Sequence, residues 1–371
     1  MLKHASFWLL VSAVVFLLGT PVLAIPKAIE IPEALMQGEL LTVHRNQIID
    51  RIVWWKKSLL AAKTDSEIQR ACQKLLGDYL LYTNRNYREA FAEETIKQCK
   101  EVLTGKDIAP DDSLRDLKIL NLSLVLAKMP QPAMEPAYQL MVGSSNEGIR
   151  FIGWKGYLAI RPVLLRGTEK NRAPMIAAAT QALAKEDNPI ILSMVYQVMN
   201  LGTVEEKIDV KIRLQADVNF LKAIQNSWPT RRKGVLTLEE GQDELLPALR
   251  NGVLALRSIG TDFALQEPKD DKSITLCLQL ILDMAYSTAQ TFDRAWQNPQ
   301  ANLNLLDQCT NMLQTCEEAM NAIAGMNLTY LADKTNTRVS IPARGAAVLE
   351  AILNWSEALK DKGVKEPTPP K

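Results

Sequence analysis

The residue types that carry most enzyme chemistry are sparse in this chain. Two histidines occur in 371 residues. His4 falls in an apolar leader, so His44 is the one imidazole expected in a processed chain. That removes multi-histidine metal sites and leaves a Ser-His-Asp arrangement only with His44 as its base. His44 sits in a helical, mostly polar context, Thr42-Val43-His44-Arg45-Asn46, and reads as a surface or inter-helix histidine. The five cysteines form no CxxC, and there is neither GxGxxG nor GxxxxGK[ST]. No cofactor or metal is expected. The paired acids Glu239-Glu240, Asp270-Asp271 and Glu317-Glu318 read as solvated helix ends or faces. Trp54 and Trp55 are neighbours pointing about 100° apart, and core packing is favoured over sugar stacking. Arg150 and Arg161 are eleven residues apart, which puts both on almost one face of a helix. With Trp154 as a packing anchor, they are the expected partner-binding residues.

The cysteine spacing allows two bridges. Cys72 precedes the turn at Thr83–Asn86 by about as many residues as Cys99 follows it, an axial offset of about 3 Å at 1.5 Å per residue. Cys277 and Cys316 flank the turn at Asn298-Pro299 with an offset of about 5–6 Å. Cys309 matches neither and is the expected free thiol.

The elements that must position these residues are helical. Asn146 is a natural N-cap and Glu147 suits the positive end of a helix dipole. From Ile149 to Arg166 apolar residues nearly encircle the helix, which predicts burial between neighbours rather than at a surface. Gly153 and Gly156 each cost about 1 kcal/mol relative to Ala there, and close packing of a neighbouring helix is the usual offset. Pro162 predicts a kink or end near Arg161. The same reading gives helices from Pro32 to Lys63, to Tyr82, from Tyr87 to Leu103 and from Pro110 to Lys128. Helix pairs then recur to about Gln225, roughly forty residues per pair. No run alternates between apolar and polar residues, so the fold class is all-α.

Lys3, the apolar run Phe7–Leu18, the breakers Gly19 and Pro21, and Val22-Leu23-Ala24 make an export signal, with cleavage expected after Ala24. The run is shorter than the roughly 20 residues of a membrane span, and no second run approaches that length. With Lys3 removed, 42 basic residues face 42 acidic ones, a balance that argues against nucleic acid. Residues 25–226 form an expected N-terminal half. Residues 227–240, with Pro229, Gly234 and the cluster Arg231-Arg232-Lys233, form a solvated loop or boundary. A C-terminal half at 241–359 and a disordered polar tail at 360–371 complete the chain.

Ile149-Arg150 after a polar turn, followed by Tyr157-Leu158-Ala159-Ile160 late in the helix, resembles HEAT or armadillo-type repeats. The likeness extends to Asn188–Gln225 and covers about a third of the chain; the other repeats lack the Arg. The chain is also similar overall to exported bacterial helical-repeat proteins. This resemblance implies antiparallel helix pairs stacked as an α-α superhelix, a solenoid that binds other proteins along a concave face. The function expected is therefore an exported, non-enzymatic scaffold in a periplasm or at a cell surface. The rivals are a carbohydrate-active enzyme on an α/α scaffold, which needs paired carboxylates beside Trp54, Trp55 or Trp154, and an envelope structural protein without a specific ligand.

Overall fold

The computed structural model describes residues 26–32, 40–203, 208–237, 244–300, 302–335 and 344–367. The export signal and Glu239-Glu240 lie outside them. The described residues are helical, with no strand among them, and no helix in them is long and apolar enough to cross a membrane. The chain divides into two compact units, Met1–Met129 and Pro130–Lys371.

The first unit contains α1 (Thr42–Ala61), α2 (Asp65–Leu80), α3 (Arg85–Leu103) and α4 (Arg115–Leu126). The starts are set by capping side chains. Thr64 Oγ1 accepts from the Glu67 N–H at 3.3 Å, and Asn84 Oδ1 accepts from Asn86 and Tyr87. α1 packs on α2 and α3, and α2 packs on α4. Asp78 ties three helices together. Its carboxylate accepts a fork from Arg51 at 2.9 and 2.9 Å and the Trp55 indole N–H at 2.6 Å, and its carbonyl accepts from the Tyr87 hydroxyl at 2.6 Å. Trp55 is buried in this way, with Trp54 packed edge-on to it. Lys118 is fully buried and donates to the Leu60 carbonyl and to Asp112, at 2.8 and 2.7 Å.

The second unit contains α5 (Glu135–Val142), α6 (Glu147–Arg166), α7 (Glu169–Lys185), α8 (Pro189–Met199), α9 (Val210–Leu236), α10 (Leu245–Leu265), α11 (Asp271–Trp296), α12 (Leu303–Ala324) and α13 (Arg344–Ala358). Each helix packs on the one before it or the one two before it. The two-step contacts make two rows: α6, α8, α10 and α12 in one, and α5, α7, α9, α11 and α13 in the other. This order follows from helices apolar on more than one side, which need a neighbour on each.

α6 is buried as its composition requires, with Trp154 and Tyr157 nearly inaccessible. Its glycines admit α5. A Cβ at Gly156 would sit 2.5 Å from the Tyr138 ring, and one at Gly153 would sit 2.9 Å from the backbone nitrogen of Val142. Pro162 does not end the helix, which runs on to Arg166 because Leu164 and Leu165 are buried by the packing.

Four further expectations are corrected. Residues 227–236 are not a loop or boundary; they continue α9 through Pro229, because Trp228, Arg231 and Val235 are buried there. The division of the chain falls instead at Met129–Pro130. The tail is ordered from Lys360 to Pro367. Val364 is buried, and the Gln279 amide binds both the N–H and the carbonyl of Lys365, at 2.8 and 3.2 Å. Glu317 is buried rather than solvated. It accepts from the Leu331 and Ala332 N–H groups and from the Trp355 indole. Neither the Cys72–Cys99 nor the Cys277–Cys316 bridge is formed. Those four and Cys309 are all free, buried thiols. Burial pushes their pKa values up, to about 12 for Cys72, Cys99 and Cys309. Almost no thiolate is therefore available for exchange at neutral pH.

The glycine geometry decides the sign of a substitution. Gly156→Ala gains about 1 kcal/mol of helix propensity but overpacks the Tyr138 ring, and should destabilise by about 1–3 kcal/mol net. Gly77→Ala in α2, where an added Cβ meets nothing within 4 Å, should stabilise by up to about 1 kcal/mol. Denaturant unfolding of both variants checks the contrast.

Candidate functional site

The sequence-predicted residues separate in the structure. Arg161 is buried and faces α8. Its Nη1 donates to the carbonyls of Gln197, Val198 and Asn200 at 2.5, 3.3 and 3.0 Å, and its Nη2 donates to Thr203 Oγ1 at 3.0 Å. These carbonyls lie at the C-terminal end of α8, past the last regular intrahelical bonds, where a cation is favoured. Burial pulls the Arg161 pKa down to about 10, which still leaves it charged at neutral pH. Arg161 is a helix cap and not part of a partner face.

Arg150 is half-buried and forks onto Glu186 at 2.8 and 3.1 Å, while its Nη1 binds the carbonyls of Ser144 and Ser145 just past α5. Glu186 holds its guanidinium firmly charged. Trp154 is buried, so it is a packing anchor but offers little surface of its own. Arg231, expected in a solvated cluster, is also buried and caps α7 through the carbonyls of Leu183 and Glu186, at 3.0 and 2.5 Å.

Arg150 and Trp154 nevertheless share a setting that Arg161 does not. They line a recess of about 470 Å³ between α5, α6 and α7, together with Gln139, Ser144, Gln181, Lys185 and Glu186. That volume is in the range of a ligand or peptide-binding pocket. Ala177, Ala178 and Ala182 floor it on the α7 side. A second hollow of about 670 Å³ lies between α7 and α9 and shares Ala177 and Gln181 with the first. Its wall carries Ile176, Thr180, Gln215, Asn219 and the exposed Val218. The two adjoin at Ala177 and Gln181 along the outward side of α7, and together they are the trough around it. The cause is the composition of α7, EKNRAPMIAAATQALAK, whose small outward residues leave space that larger side chains would fill.

The polar groups of the trough are of two kinds. Arg150 and Glu186 neutralise one another, and Arg172 is held by Gln215 and the Gly167 carbonyl. Gln139, Gln181 and Lys185 are exposed, and none has a hydrogen-bond or ion-pair partner among the described residues. An amide head donates and accepts at once, as an extended peptide backbone requires. Sequence reading missed Gln139, Gln181, Lys185 and Glu186. The alanine spacing of α7 was the available signal, since the run Ala177, Ala178 and Ala182 leaves a gap beside its neighbours.

The hollow beside Trp54 and Trp55 measures about 350 Å³ and contains a single acid, Glu67, which already accepts from the Lys63 N–H at 2.7 Å. The recess beside Trp154 likewise has one, Glu186. No group of three or more His, Cys, Asp or Glu among the described residues could hold a metal ion. Comparison with protein-family models, with curated proteins and with solved structures finds no match.

Arg161→Ala should lower the unfolding free energy by about 2–4 kcal/mol, because it strips charge-assisted bonds from buried carbonyls. A surface contact residue would change stability by about 0.5 kcal/mol or less. Denaturant unfolding midpoints distinguish the two.

Proposed function

We propose that this chain is an exported, non-catalytic helical-repeat scaffold of HEAT or armadillo kind, and that it binds another protein along the trough around α7. The repeat reading is supported by the order of contacts, in which alternate helices pack in two rows. The export reading rests on the leader at residues 1–24. The single observation that carries the binding reading is the trough itself. It pairs an apolar floor of alanines with the unengaged heads of Gln139, Gln181 and Lys185. The occupant it suits is an extended polypeptide segment, whose backbone would meet the glutamine amides while small apolar side chains meet the floor.

The enzyme alternative draws less support. Each hollow beside the named tryptophans has one carboxylate already engaged, where glycoside hydrolysis uses two.

The test is capture of proteins from an envelope extract by residues 25–371, alongside Ala178→Trp, which places a bulky side chain in the recess. A specific protein retained by the wild-type chain and reduced about tenfold or more by Ala178→Trp is the expected result. Equal capture by both chains would overturn the trough as the binding face. Enrichment of glycan in place of protein would overturn the scaffold reading and redirect attention to the Trp54–Trp55 hollow.

A further inference from the structure

The joint between α9 and α10 encloses a carboxylate that nothing donates to. Asp217 on α9 is fully buried, and neither of its oxygens has a hydrogen-bond partner. Asp262 on α10 is also buried and is gripped by Arg213, which lies one turn before Asp217. Nε and Nη2 of Arg213 reach the two Asp262 oxygens at 2.7 and 2.7 Å, and its Nη1 donates to the Ile208 carbonyl at 3.0 Å.

The groups facing Asp217 from each packed element can be enumerated. Arg213, on its own helix, is engaged as described, with Asp209 nearby at the start of that helix. Asp262 faces it from α10. From α11 comes the Cys277 thiol, which also feels Asp270. On α7 the charged groups beside this stretch of α9 are Glu169 and Arg172, and Arg172 is held by Gln215 and the Gly167 carbonyl. One guanidinium therefore serves two buried carboxyl groups. Two adjacent carboxylates cannot both stay charged cheaply away from water.

We propose that Asp217 carries a proton and donates it to Asp262, so that α9 and α10 are joined by a carboxyl–carboxylate pair that loosens when the proton leaves. The chemistry balances simply: the O–H of Asp217 supplies the hydrogen that a bare Asp217 lacks, and its loss releases one proton to solvent. Burial first, and then the charge of Asp262, hold the Asp217 pKa well above the ordinary carboxylate range. In the unfolded chain Asp217 titrates normally, so its contribution to stability is complete below that range. It declines as pH rises toward the folded value. The joint is tightest in acid and weakest in mild alkali, the reverse of a salt-bridged aspartate. This inference is independent of the trough and of the scaffold reading.

The experiment compares the full chain with Asp217→Asn, whose amide keeps a donor toward Asp262 without titrating. Between about pH 5 and about pH 9, the wild-type folding equilibrium should fall relative to the variant by up to about tenfold per pH unit. Parallel pH profiles would overturn the proposal. A second measurement does not need the variant to be well folded: the infrared carbonyl band of a protonated carboxylic acid should be present in the wild-type chain at neutral pH. Its absence would overturn the shared proton. Alkylation of Cys277, followed by mass spectrometry, reads the joint itself. The wild-type to variant rate ratio should climb with pH, and a constant ratio would overturn the loosening.

Discussion

The fold depends on what happens to the carbonyl groups that every helix leaves free at its C-terminal end. In a chain of short helices stacked in rows, many of these ends lie inside, where a bare carbonyl is costly. A cation from another helix reaches several of them. Arg150 of α6 binds Ser144 and Ser145 past α5, Arg161 of α6 binds the end of α8, and Arg231 of α9 binds the end of α7. Lys118 of α4 does the same for the Leu60 carbonyl near the end of α1. The dipole of each capped helix adds to the attraction. Register between neighbours is then set by reach as well as by shape, since a guanidinium one residue out of place misses its carbonyls.

This device explains which parts of the chain were legible from sequence. Helix starts were read well, because Thr64, Asn84, Asn146 and Asn188 cap their own helices and the signal is local. The burial of α6 and the tight seat at Gly153 and Gly156 were readable too, from an apolar run with glycines inside it. The cationic caps were not. Arg161 and Arg231 cap across gaps of 36 to 48 residues, and Arg150 is held by an acid 36 residues on, so locally all three look like any solvated basic residue. Glu317 misled in the same way, since an acid beside another acid reads as surface while its partners lie 14 to 38 residues on.

Proline was over-weighted by local reasoning. Pro162 and Pro229 each remove a donor from their helix, yet α6 and α9 continue through them. The buried side chains that follow, Leu164 and Leu165 in one case and Arg231 and Val235 in the other, outweigh one lost backbone bond. The trough is the counterpart of this: α7 gains its place from Met175, Ala179 and Leu183 on one side, and its other side is left thin. A single helix thus builds core and concavity from the same seventeen residues.

The segment after α13 lies along α11, with Thr275 donating to the Lys362 carbonyl at 2.6 Å and Gln279 gripping Lys365. These contacts join residues 86 and 87 positions apart. During synthesis α11 therefore emerges long before its cover does. Until those later residues are made, one edge of the helix stays open to whatever holds nascent chains. The strap thus covers an edge of α11 with residues that are made last.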